Sequence, residues 1–144
     1  MNQARTRELT AISQYMVQHY ELEDQDVKKL ASILKEIGIQ EMKHAESLAE
    51  RILFLKGEPV TKPDAGAVKG QGIAAMMTTD IGLEDDAVKL YNEAAAICAA
   101  EKDEVSKHLF EQLLEDEEGH LNLFQNTLDH IEKLGAAYLA TLMG

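Results

Sequence analysis

The sequence predicts an all-α fold: a four-helix bundle with a long crossover between helices 2 and 3, at about residues 57–72, and a short fifth helix at about 136–143, the 144 residues forming one domain. Three observations predict it. Only two prolines and no tryptophan occur, and the stretches between breakers are rich in Ala, Leu, Glu, Lys and Gln, all good helix formers. Apolar residues recur at spacings of three and four through four long segments. Gly57 to Gly72 shows no such period and contains both prolines, so it reads as a connection. A tight turn makes neighbouring helices antiparallel, whereas a linker this long can run the height of a bundle and leave the third helix parallel to the second.

Helix 1 is expected from about Asn2 to Glu21, with Leu9, Ile12, Tyr15, Met16 and His19 along one stripe. Glu8 lies on the same stripe, where an unpartnered carboxylate would lose its hydration without compensation. After the acidic turn, Asp24 or Asp26 is expected to cap helix 2, which runs from about Asp26 to Lys56 on Leu30, Ile33, Leu34, Ile37, Ala45, Leu48, Ile52 and Leu55 and stops at Gly57. Helix 3, about Ile73 to Ala100, carries Met76, Met77, Ile81, Val88 and Ile97, with Glu84 and Tyr91 near its middle. Helix 4, about Lys102 to Leu134, carries Leu109, Leu113, Leu121, Phe124, Leu128 and Ile131 and ends at Gly135. The apolar tail that follows is too greasy to remain in water alone and should pack on something.

Composition bounds the function. A formal charge of -12 disfavours nucleic acid and anionic lipid and favours cations. The single Cys98 excludes an intrachain disulfide, fits a reducing compartment and reads as a small buried hydrophobe among alanines. The N-terminal residues lack the apolar run of a signal peptide, and no segment approaches the ~20 apolar residues of a membrane span, so a cytoplasmic location is expected.

An internal repeat underlies the helices. Glu8 and Glu41 are 33 positions apart, as are Glu84 and Glu117, and Tyr15 and Tyr91 each follow the leading glutamate by seven residues. The second member of each pair opens a Glu-x-x-His step, Glu41 to His44 and Glu117 to His120, which puts a carboxylate and an imidazole on one helix face. A lone Glu-x-x-His in a Glu-rich helix says little; two, in matching positions of a repeat, point to a site. Glu8, Glu41, His44, Glu84, Glu117 and His120 should therefore converge in the bundle. Oxygen and imidazole donors without thiolates suit iron or manganese, and four carboxylates balance two divalent ions. Tyr15 should bond to Glu84 and Tyr91 to Glu8, fixing their rotamers. His19, His108 and His130 lack this context, and of the acidic run at 115–118 only Glu117 has the phase to face inward, the rest reading as a solvated face.

One Glu on each of two helices plus Glu-x-x-His on the other two is the known ligand pattern of ferritin-like di-iron carboxylate proteins. Within that superfamily the chain most resembles bacterioferritin, through Glu41-Met42-Lys43-His44-Ala45, Glu50-Arg51-Ile52-Leu53-Phe54-Leu55-Lys56-Gly57 and Asp116-Glu117-Glu118-Gly119-His120, over about Glu8 to Gly135. Relative to that family, helix 1 starts one or two turns late. The resemblance implies a ferritin-like bundle and a ferroxidase centre of two Fe ions per subunit. In it Glu41 and Glu117 bridge, Glu8 and His44 complete one ion, Glu84 and His120 complete the other, and Tyr15 stands beside the site. It also implies that Met42 is the axial ligand of haem b at a subunit two-fold.

Two departures are visible. Glu36 and Gln40 stand where some bacterioferritins carry an inner-surface iron site of His and Asp, which bears on iron transfer to the cavity. Tyr91 together with Tyr15 resembles rubrerythrin, yet Ala87 replaces that family's extra carboxylate and one cysteine cannot build its rubredoxin module. The expected function is iron storage and detoxification: Fe2+ is oxidised by O2 or H2O2 and deposited in a homo-oligomeric cage, a 24-mer built from dimers by analogy, with a redox partner for release. The alternative is a rubrerythrin-like di-iron peroxidase or oxidase without mineral storage. A metal-free interaction module would leave the six ligands unexplained.

Overall fold

The computed structural model describes residues Met1–Gly144 as five helices: α1 (Asn2–Asp24), α2 (Lys28–Phe54), α3 (Ile73–Ala100), α4 (Glu104–Leu134) and α5 (Ala136–Thr141). The principal packing pairs are α1 with α2 and α3 with α4, each joined by a turn of a few residues. No helix is long and apolar enough to cross a membrane.

The crossover is held to α1 by a ladder of polar side chains. Asn2 Nδ2 donates to the Glu58 carbonyl at 2.8 Å, Arg5 Nε to the Val60 carbonyl at 2.8 Å and Thr10 Oγ1 to Asp64 Oδ1 at 2.8 Å. Gln14 clasps the Val68 backbone in both directions, at 2.9 and 2.8 Å, and Glu21 accepts from the Gly70 amide at 3.1 Å. Both partners climb together in residue number, so the crossover runs alongside α1 and delivers α3 parallel to α2, as its length predicts. These α1 residues also recur at helical spacing, which is why polar Thr10 and Gln14 are buried: the crossover, and not water, covers them.

Helix ends differ from expectation by a turn or less, for one reason repeated three times. Asp26, Lys56 and Lys102 take the left-handed conformation, with φ of 61°, 70° and 59°. The next residue's amide then reaches back five positions: Val27 to the Leu22 carbonyl (2.9 Å), Gly57 to Ile52 (2.9 Å) and Asp103 to Cys98 (2.8 Å). This is the Schellman closure, here made without glycine in the left-handed position. Consequently α1 continues to Asp24, α2 ends at Phe54 with Gly57 outside it, and α4 starts at Glu104, where Asp103 caps Ser106 N at 3.1 Å. Neither Asp24 nor Asp26 caps α2. Its free amides Lys29 N and Leu30 N instead donate to the Leu142 carbonyl, at 3.0 and 3.3 Å, so the apolar tail closes the first turn of α2. Cys98 is only partly buried.

Two apolar clusters fill the bundle. One contains Tyr15, Leu22, Leu30, Leu34, Met76, Met77, Phe124 and Leu142, and the other Ala4, Leu48, Ala87, Tyr91, Phe110 and Leu113. Between them lies a layer of buried carboxylates.

Candidate metal centre

Each pair of helices contributes its repeat to that layer. Glu8 on α1, Glu41 and His44 on α2, and Glu117 on α4 form one group whose donor atoms all lie within 4.8 Å of one another; Glu41, Glu84 on α3, Glu117 and His120 form a second. Glu41 and Glu117 belong to both. All six side chains predicted from sequence are thus brought together, and all are buried. His44 Nδ1 lies 3.4, 3.3 and 3.1 Å from oxygens of Glu8, Glu41 and Glu117. His120 Nδ1 lies 3.2, 3.5 and 3.5 Å from Glu41, Glu84 and Glu117. The two rings are near parallel, with centroids 6.3 Å apart.

Protons alone serve this arrangement poorly. Glu8 Oε2, Glu41 Oε1, Glu84 Oε2, Glu117 Oε1 and both histidine Nδ1 atoms are buried without a hydrogen-bond partner, where buried polar atoms are normally satisfied. Burial raises the Glu41 carboxyl well above its ordinary range, and repulsion from Glu8 and Glu84 adds to it against the opposing pull of the nearby His44 imidazole. Glu117 is pushed up to about 12, first by burial and then by Glu41, Glu8 and Glu84, again against His44. Burial opposes charge on His44, but Glu117, Glu41 and Glu8 outweigh it and raise its pKa; at His120 the charges of Glu84 and Glu117 do the same. The layer therefore retains protons that two divalent cations would displace. Six unpartnered oxygen and nitrogen donors, without a thiolate, fit two such cations.

The outer partners are as specific. Tyr15 Oη donates to Glu84 Oε1 at 2.6 Å, and Tyr91 Oη donates to Glu8 Oε1, both as the repeat predicts. Burial, with the charges of Glu84 and Glu8, raises both phenols, so they remain neutral donors. Phe124 packs on Tyr15 and Phe110 on Tyr91, at ring-centroid distances of 5.5 and 5.8 Å.

Three side chains near the centre escaped the sequence reading. Asp116, assigned to a solvated face, accepts from His44 Nε2 at 2.8 Å although its side chain is 56% exposed. Gln40 Oε1 meets His120 Nε2 at 2.5 Å. Each stands immediately before the glutamate of a Glu-x-x-His step, a positional signal that was legible. Gln18 Nε2 donates to the fully buried Asp80 Oδ1 at 2.8 Å, a pair that nothing in the helical period announces.

Of the other candidates, Met42 is 42% exposed and borders an open groove of about 400 Å³ with Leu9, Ile12, Ala45 and Ala49. His19 is buried with Nδ1 2.7 Å from the Ala31 carbonyl, while His108 and His130 are exposed.

Comparison with known proteins agrees with this geometry. The ferritin-like domain family matches residues 1–134. The chain is 42% identical to the bacterioferritin of Desulfovibrio desulfuricans, over all of this chain and 80% of the relative. It is likewise 42% identical to that of Rhodobacter capsulatus, over 99% and 88%. A crystal structure of the Desulfovibrio desulfuricans protein, described as showing its di-iron site in different catalytic states, superposes with a TM-score of 0.95 over 98% of this chain and 82% of that one.

Proposed function

The chain belongs to the bacterioferritins, within the ferritin-like family, and from this we propose that it oxidises Fe2+ at the buried carboxylate layer and stores the product as Fe3+. The observation that carries the reading is the set of six unpartnered donor atoms, four carboxylate oxygens and two imidazole nitrogens, facing one another in a buried core.

Two Fe2+ ions are the substrate. Each gives up one electron, and O2 takes both electrons with two protons to leave H2O2, or H2O2 takes them with two protons to leave two water molecules. Glu41 and Glu117 reach both positions and would bridge, which keeps the two one-electron donors close enough to act as a pair. Glu8 with His44 and Glu84 with His120 would complete the two positions. Tyr15 and Tyr91 hold the terminal carboxylates in place from outside, so little reorganisation accompanies the change in charge. Carboxylates suit the ferric product as well as the ferrous substrate, so the same residues serve before and after oxidation.

The reading extends to assembly. Leu53, Phe54, Leu55 and Val105 are exposed apolar residues, which supports self-association, and the family analogy makes the assembly a cage of 24 subunits built from dimers. Met42, outward and bordering an apolar groove, would meet its own copy at a two-fold and supply the axial thioethers of one haem b per dimer. We infer a cytoplasmic location, one domain over residues 1–144, and an external reductant to release stored iron.

Anaerobic Fe2+ titration tests the centre. Two equivalents per subunit are expected in the native protein, and fewer than one in Glu117→Ala, which removes a ligand of both positions. A break at zero or one in the native protein would overturn the reading. Native mass separates storage from a small oxidase, since a metal-loaded dimer has no cavity to fill. A Soret band that is absent, or that survives Met42→Leu, would remove the haem assignment.

A further inference from the structure

The two histidines are oriented by chemically different partners. His44 Nε2 meets the carboxylate of Asp116 at 2.8 Å, and His120 Nε2 meets the amide oxygen of Gln40 at 2.5 Å. The positions are symmetric: Asp116 precedes Glu117 on α4 and braces a histidine of α2, while Gln40 precedes Glu41 on α2 and braces a histidine of α4. The chemistry is not. Asp116 only accepts, so His44 carries a proton on Nε2 and turns Nδ1, the atom left for a cation, toward Glu8, Glu41 and Glu117. A histidine that donates to a carboxylate is the stronger metal ligand, because the negative partner stabilises the charge that the ring gives up on binding; a neutral amide fixes the tautomer without that gain.

We propose that the two cation positions are unequal and that Asp116 and Gln40, as positioning residues, set their order: the position of Glu8 and His44 fills first, that of Glu84 and His120 second. The inference rests on the two-cation reading of the site. It explains how a layer whose ligands repeat almost perfectly can still take up two like charges in sequence, since the first ion has one preferred seat and the second meets the remaining one. Mutual repulsion of the cations would weaken the second step in any case. The decisive property is therefore where the first ion sits and which variant moves which step.

Co2+ is the probe, followed by visible absorption during titration of the assembled protein. Crystals holding one Co2+ per subunit add anomalous scattering at the cobalt edge. The native protein should show its anomalous peak beside His44. Asp116→Asn should loosen the first equivalent by about ten-fold or more, the usual result of removing a ligand's outer partner, and divide the peak between the positions. Gln40→Glu, which gives His120 a carboxylate of the same reach, should tighten the second equivalent by about ten-fold and leave the first. Glu115→Gln removes an equal charge from the same exposed stretch and should move neither. A first ion beside His120 or shared equally in the native protein overturns the proposal, as does an Asp116→Asn effect equal on both steps or matched by Glu115→Gln. Native protein that binds fewer than two Co2+ refutes the underlying two-cation reading, and the proposal with it, whereas two ions bound in the wrong order refute the proposal alone.

Discussion

The two ends of the bundle, above and below the carboxylate layer, flank one repeated pattern and differ from each other. Within the layer the halves of the chain correspond at a constant offset of 76: Glu8 with Glu84, Tyr15 with Tyr91, Glu41 with Glu117, His44 with His120. One turn further out the correspondence fails. At one end Gln18 and Asp80 form a buried hydrogen-bonded pair; at the other their counterparts are Ala94 and Ala4, beside a small cavity of about 160 Å³ lined also by Cys98 and Phe110. The lesson is physical. The six donors of the layer must match because they face one another across the two-fold repeat, whereas the ends need only to be filled, one by a polar pair and the other by two alanines beside a cavity.

The largest expected effect separates the layer from both ends by pH. In the metal-free protein Glu41, Glu117, His44 and His120 all have pKa values raised above their ordinary ones, so the folded layer holds more protons than the unfolded chain. Stability must then fall as pH rises from the ordinary carboxylate range, by about 1.4 kcal/mol per pH unit for each excess proton. The Tm of the metal-free protein is accordingly expected to be higher at pH 6 than at pH 8. Cations displace these protons and bind more tightly as pH rises, so loading with Co2+ should shrink or invert the difference. Thermal unfolding followed by circular dichroism, with and without metal, measures both. A metal-free Tm that climbs from pH 6 to pH 8 would show the layer to be held as ionised carboxylates.

Next in size are the aromatic walls. Phe124→Ala and Phe110→Ala each empty a buried position against a buried tyrosine, and each is expected to destabilise by about 3–5 kcal/mol. Denaturant unfolding of the two variants sharpens the comparison of ends. A much smaller loss at Phe110 would mean that the cavity beside it already lets that end relax.

The smallest effect tests whether the polar pair is dispensable. Gln18→Leu alone leaves Asp80 in a buried site without its donor and should cost about 1–3 kcal/mol. The double replacement Gln18→Leu with Asp80→Leu should recover most of that loss, because both polar groups leave together. A double variant no more stable than the single one would assign Asp80 a role beyond packing.

The fold was legible because four long apolar periods and one aperiodic linker leave few ways to arrange a chain, and the six clustered donors were legible because the repeat marks them twice. Tyr15 and Tyr91 followed from the same phase, two turns along the face of their glutamates. Asp116 was misread because exposure and phase describe a residue relative to its own helix, and its carboxylate instead reaches round to a histidine on another. Asp26, Lys56 and Lys102 ended their helices without the glycine that ordinarily announces such an ending.

By itself, then, the sequence determined which side chains share a face, since helical spacing is a local property carried by each residue's position in its own segment. Only the tertiary structure decided which faces meet and who caps whom. Asp116 against His44, Gln40 against His120, the Leu142 carbonyl at the start of α2 and the polar side chains of α1 beneath the crossover all join segments distant in sequence. Their partners depend on the rotation and register of one helix against another, and the burial of both apolar clusters sets that register at once.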